Sequence, residues 1–118
     1  MIVKRGDVVV TRVPHASGGR GKKRPAVIVQ ADVYNATLRH AVVAEVTTNP
    51  HWMADPACLP IDVTTPEGKA TGLDRDGAVS CLHLVMMSEE RLGDVIGSLS
   101  PALLTRLDAC LKMALGLP

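Results

Sequence analysis

The sequence predicts a mainly β domain carrying one C-terminal helix, a small α+β fold built on a strongly bent sheet or partly closed barrel. The first two thirds of the chain read as short β-branched and apolar runs divided by glycine, proline and asparagine turn signals. From Ser100 onward the apolar residues recur at helical spacing instead. At 118 residues the chain is long enough for one real core and too short for two, so a single domain spanning 1–118 is expected.

Asp7–Val13 is the opening strand. Pro14 through Lys23 then form a polar loop holding Gly18, Gly19 and Gly21. Pro25–Gln30 is a continuous apolar run, the pattern of a strand buried on both faces. Ala31–Thr37 lacks β character and reads as a helical turn or loop. Ala41–Thr48 is the next strand, ended by Asn49-Pro50. A loop with His51 and Trp52 leads to a strand over Leu59–Val63. Pro66-Glu67-Gly68 and Asp76-Gly77 are turns, and Ala78–Met87 is a long strand. Ser88–Leu92 reads as a short helical turn and Val95–Leu99 as the last strand. Ser100 is placed as an N-cap with Pro101 at the first helical position. Leu103, Leu104, Leu107, Cys110, Leu111, Ala114 and Leu115 are expected on one helix face, and Gly116 as its stop.

Hydrophobic residues make up 47% of the chain, which argues against disorder. Formal charge is only +1, yet it is unevenly spread. Residues 1–30 hold seven basic residues against Asp7 alone, whereas the other 88 hold six basic and eleven acidic. A basic end on a nearly neutral chain focuses an attractive field for a polyanion. The bland reading of the same charges is a solvated surface. Mean hydropathy is positive, +0.18, and Leu82–Met87 offers few polar residues for a solvated strand face, so a dimer is expected.

Cys58, Cys81 and Cys110 are odd in number, widely spaced and set among apolar neighbours, which reads as buried hydrophobes. No metal or other cofactor is expected, because His15, His40, His51 and His83 lack ligand spacing. No secretory or membrane-spanning segment is visible, so a reducing, cytoplasmic setting is expected. Walker, nucleophile-elbow, zincin and dinucleotide motifs are all absent. With no Phe, one Trp and one Tyr, a broad aromatic platform for stacked bases is excluded, although Trp52 or Tyr34 can stack a single base.

The chemistry concentrates at positions 18–30, where Arg20, Lys22, Lys23 and Arg24 run straight into an apolar strand. Pro25 fixes the start of that strand and so holds Arg24 at a defined point. An arginine there presents a planar fork that matches phosphate bidentately. A surface ion pair is the structural alternative for it. Thr47 and Thr48 end the next strand and meet Arg24 if the strands are neighbours. His83 interrupts an apolar strand, either as a hydrogen-bonded core or interface residue or as an acid–base group.

Taken in order, K-R-G-D-V (Lys4–Val8), R-P-A-V-I-V (Arg24–Val29), V-A-E-V-T-T (Val43–Thr48), G-L-D-R-D-G-A-V (Gly72–Val79) and E-E-R-L-G-D-V-I-G-S-L (Glu89–Leu99) resemble the MazF/PemK family. These are toxins of type II toxin–antitoxin systems, and the resemblance spans essentially the whole chain. It implies an SH3-like, CcdB/MazF-type dimeric barrel that cleaves single-stranded RNA without metal, leaving 2′,3′-cyclic phosphate and 5′-OH ends. It implies Arg24 and Thr47 as catalytic positions, with Thr48 adjacent. Arg20, Lys22, Lys23, Thr48, His51 and Trp52 are the expected RNA contacts, and an antitoxin with an acidic disordered tail is the expected protein partner.

The chain departs from the family pattern in two places. The loop before R-P reads G-G-R-G-K-K where many relatives carry a glutamate-glutamine pair, and Leu82-His83-Leu84-Val85 stands where many have D-Q-x-R. These departures imply a different base preference, weaker activity or a degenerate toxin, or else that His83 supplies the acid–base function the loop no longer can. The competing reading is a non-catalytic relative on the same barrel that binds RNA or poisons a protein target such as gyrase.

Overall fold

The computed structural model describes residues 1–12 and 23–118. Its strands are β1 (Asp7–Arg12), β2 (Lys23–Ile28), β3 (His40–Thr47), β4 (Cys58–Ile61), β5 (Gly77–Ser88) and β6 (Leu92–Ser98). They form one antiparallel sheet in the order β4-β5-β3-β2-β1-β6. Short helices α1 (Asp32–Asn35), α2 (Pro50–Met53) and α3 (Pro66–Lys69) fill connections, a 3-10 turn (Glu89–Arg91) joins β5 to β6, and α4 (Pro101–Leu115) ends the fold. The sheet with its terminal helix is the expected architecture.

Side-chain alternation along β2 assigns the two faces. Val27 points into a core with Val8, Val46, Leu59, Val79 and the Leu103, Leu107 and Cys110 stripe of α4. Ala26 and Ile28 point the other way, into a second cluster with Val9, Ala41, Val43 and Met87. Both clusters are almost fully buried, so β2 is covered on both sides as its unbroken apolar run predicts. Full burial of a side chain such as Leu107 stabilises by roughly 1.5–3 kcal/mol.

Irregular pairing bends the sheet. The β1–β6 register slips between Val8 and Val9 and again before Thr11. In the β3–β5 ladder Ala44 faces Leu84 while the next residue, Glu45, faces Ser80. Cys81, Leu82 and His83 thus have no opposite number on β3 and form a bulge, which kinks the strand and increases its twist.

Helix α4 starts and stops as its sequence indicates. The Ser100 hydroxyl accepts the Leu103 N–H at 3.2 Å and donates to Glu67 at 3.1 Å, tying the helix start to α3. Gly116 takes a left-handed φ of 68°, with its N–H on Met113 and that of Leu117 on Lys112. Leu115 departs from expectation and is 56% exposed. At 100° per residue it lies about 110° from the midline set by Leu103, Leu107, Cys110 and Ala114.

Other expectations are adjusted. The segment with His51 and Trp52 is helix α2 rather than a loop, because Pro50 occupies the first position and the Asn49 side chain accepts the His51 N–H at 3.0 Å. Pro66–Lys69 is likewise a helical turn, capped by Thr65 on the Gly68 N–H. Strand β6 begins at Leu92 rather than Val95, since Leu92 pairs with Thr11. Within Leu82–Met87, Met87 belongs to the second core cluster whereas Leu82 and Met86 are exposed. Among the described residues no helix is long and apolar enough to cross a membrane.

Candidate functional site

Arg24 sits one residue into β2, opposite Thr11, whose hydroxyl donates to the Arg24 carbonyl at 3.1 Å. Its backbone is therefore held while its side chain is exposed. The β2–β3 ladder pairs Ala26 with Glu45. Continued by two residues, the same register sets Arg24 level with Thr47, and alternation puts both on the face of the second cluster. The Thr47 hydroxyl oxygen accepts the Asn49 N–H at 3.1 Å, which orients the side chain and leaves its proton for a ligand. No ion pair engages Arg24 or Lys23 among the described residues.

Thr48, the next residue, serves the other side of the strand end. With Lys23, Arg24, Pro25, Val46, Leu73, Asp74 and Arg75 it lines a cavity of about 330 Å³. Arg24 thus stands on the rim between this cavity and the face bearing Thr47. Cations outnumber the lone carboxylate, Asp74, whose exposed ion pair with Arg75 at 3.8 Å is weak. Arg75 was not among the sequence-derived candidates, because an arginine in a Gly/Asp turn reads as ordinary loop polarity. Arg20 and Lys22, and His15 with them, lie outside the described residues.

A second polar group gathers around the β5 bulge. Ser80, fully buried, places its Oγ 2.7 Å from Nδ1 of the exposed His83. Cys58 on β4 donates its thiol proton to the same oxygen at 3.5 Å. The serine hydroxyl holds the ring at Nδ1 and leaves Nε2 facing outward. Trp52 meets His83 edge-to-face at 5.7 Å, and His51 meets Trp52 at 4.7 Å. His83, His51 and Trp52 are therefore one cluster, and His83 is hydrogen-bonded yet accessible. His40 pairs with Ser88 at the far end of β3, away from it.

Two residues that sequence reading passed over connect these groups. Glu45 lies opposite Ala26 on β2 and opposite Ser80 on β5, on the same face as Thr47. Ser80 fixes the histidine. Their signal was register, which no spacing within one strand reveals. All three cysteines are buried and free, and burial, followed by the neighbouring thiols of Cys110 and Cys58, pushes Cys81 up to about 12. They are inert thiols, as expected. Among the described residues no group of three metal-ligating side chains converges.

Comparison with known proteins gives this geometry a family. Residues 4–115 match the model of the PemK-like, MazF-like toxins of type II toxin–antitoxin systems. The chain is 30% identical over 118 residues to Endoribonuclease EndoA of Bacillus subtilis (strain 168), covering 99% of this chain and 97% of that one. It is 29% identical over 119 residues to Endoribonuclease MazF6 of Mycobacterium tuberculosis (strain ATCC 25618 / H37Rv), covering 99% and 100%. A solved endoribonuclease in complex with its cognate antitoxin, from a mycobacterial species, matches the fold with a TM-score of 0.76 at 23% identity, over 98% of this chain and 97% of that one. The ordered motifs, the sheet and these relatives agree, and the chain belongs to the PemK-like, MazF-like toxin family of type II toxin–antitoxin systems.

Proposed function

We propose that this toxin is an endoribonuclease that cuts single-stranded RNA in the cytoplasm without a metal ion, through attack of a ribose 2′-OH on the adjacent phosphate. The products are a 2′,3′-cyclic phosphate and a 5′-OH end. The observation that carries the reading is the β2–β3 register, which, continued beyond Ala26 and Glu45, sets Arg24 level with Thr47, in a family whose curated relatives are endoribonucleases.

Arg24 neutralises charge developing on the phosphorane, the type of contribution for which preorganised donors are worth most. Thr47 donates to a phosphate oxygen and fixes the line of attack. His83, as an imidazolium with Nδ1 held by Ser80, gives its Nε2 proton to the departing 5′-oxygen. Lys23, Thr48 and Arg75 flank the path of the backbone, Arg20 and Lys22 add phosphate contacts, and His51 and Trp52 hold a base beside His83. The protein works as a homodimer whose contact draws on exposed apolar residues such as Leu82 and Met86. Its antitoxin covers the basic face with an acidic disordered tail.

The test is incubation of the purified protein with a long single-stranded RNA in EDTA, beside Arg24→Ala. Cuts bearing cyclic phosphate ends that vanish in the variant support the reading. RNA binding with no cutting by the wild-type protein overturns it in favour of a non-catalytic binding module.

A further inference from the structure

We infer that Glu45 is the general base of this toxin, taking the proton from the attacking ribose 2′-OH; the inference rests on the endoribonuclease reading above. The need for such a residue is chemical. Arginine stays protonated at any working pH, so Arg24 cannot accept a proton. His83 is assigned to the leaving oxygen, and the imidazolium that this role requires has N–H on both nitrogens and no lone pair to take the 2′-OH proton. The basic stretch Gly18–Arg24 contains no carboxylate at all.

Register places Glu45 where the base must be. On β3 it faces Ser80, the last paired residue before the β5 bulge, and it stands two positions from Thr47 on the same strand face. Directly opposite residues in an antiparallel pair have Cβ atoms about 5 Å apart, and the diagonal neighbours lie at about 7–8 Å. Ser80 is directly opposite Glu45 on one side, and Arg24 is its diagonal neighbour on the other. Among the described residues, the titratable groups nearest it on this face are Arg24 from β2 and, reached through Ser80, His83 from β5 and the Cys58 thiol from β4. The strand neighbours opposite Glu45, Ala26 and Ser80, are both small, so a glutamate stem is not crowded at this rung. Glutamate is also disfavoured within strands, and here it interrupts the run Val42–Val46 while only partly buried. Among the described residues no ion pair occupies its carboxylate.

The step balances. The Glu45 carboxylate takes the 2′-OH proton as the 2′-oxygen bonds to phosphorus, the P–O5′ bond breaks, and O5′ takes the Nε2 proton of the His83 imidazolium, leaving neutral imidazole. One proton then passes from Glu45 to His83 through solvent to restore the starting state.

The experiment compares single-turnover cleavage of one RNA by the wild-type protein, Glu45→Gln, Asp94→Asn and His83→Gln, with RNA affinity and melting temperature measured for each; Asp94 is an exposed carboxylate on β6. Glu45→Gln is expected to slow cleavage about 100-fold or more with RNA affinity essentially unchanged, while Asp94→Asn stays within about threefold. Added formate is expected to restore part of the rate to Glu45→Ala, a readout that a merely structural glutamate would not give and that survives if Glu45→Gln folds poorly. A substrate with a 5′-bridging sulfur needs no leaving-group proton, so it should rescue His83→Gln and leave Glu45→Gln slow. A wild-type protein that cuts while Glu45→Gln cuts as fast overturns the inference alone, as does loss confined to Asp94→Asn or sulfur rescue of Glu45→Gln. A wild-type protein that never cuts overturns the endoribonuclease reading itself.

Discussion

Ser80 Oγ stands 2.7 Å from His83 Nδ1, and the serine is completely buried while the histidine ring is exposed. A buried hydroxyl therefore anchors a solvent-facing imidazole by one nitrogen and leaves the other for a ligand. Ser80→Ala is expected to cost about 1 kcal/mol of stability through the lost hydrogen bond. It should slow cleavage about tenfold with RNA affinity intact, because the ring is no longer oriented. Nitrogen-15 shifts of His83 check the cause: the Nδ1 resonance should move in the variant more than Nε2.

Arg24 is exposed and free of ion pairs among the described residues, so its loss should barely touch the fold. Arg24→Ala is expected to move stability by less than about 0.5 kcal/mol while reducing cleavage about 100- to 1,000-fold. Arg24→Lys should recover RNA binding but little of the rate, since an ammonium cannot reproduce the planar fork. Cleavage and binding assays on the same preparations separate these outcomes.

Two glycines hold β6 against the segment after α3. A Cβ on Gly97 would stand 2.3 Å from the Thr71 carbonyl carbon and 2.4 Å from the Ala70 oxygen. One on Gly72, at φ 76°, would stand 2.1 Å from the Ile96 oxygen. Neither neighbour is a flexible side-chain end, so Gly97→Ala should cost at least about 2 kcal/mol. Gly116→Ala meets open space and loses only its left-handed backbone preference, about 1 kcal/mol. Urea midpoints for the two variants test that order.

Asp32 accepts the Arg5 backbone N–H at 2.7 Å and the Asn35 side chain at 3.2 Å, in that order of effect, and its carboxyl is held below its ordinary 3.8. The unfolded chain therefore binds this proton more readily than the folded one. The stabilising contribution is full above the ordinary value and fades as pH falls through the depressed one. Melting temperatures of wild type and Asp32→Asn should differ at pH near 7 and converge in strong acid.

Much of the frame was legible because its signals are local. The unbroken run Pro25–Gln30 gave a strand covered on both faces, and Ser100-Pro101 with Gly116 bracketed α4. The helical turns at Pro50 and Pro66 were harder, since a capped single turn and a plain turn share the same residues. Arg24 and Thr47 were legible as a pair once β2 and β3 were taken as neighbours. Glu45, Ser80 and Arg75 were not, because their importance arises from which residue faces which across strands, and the slip at Ala44 and Glu45 leaves no mark in composition or period.

That slip has a consequence for how such a protein can change. Cys81, Leu82 and His83 answer to no residue of β3, and the Cys81 N–H is satisfied by Ala57 instead. A new side chain at position 83 therefore changes the group beside Ser80 and Trp52 without re-registering any strand. Scaffold and surface are inherited separately here: the ladders preserve the one, and the unpaired segment is free to vary the other.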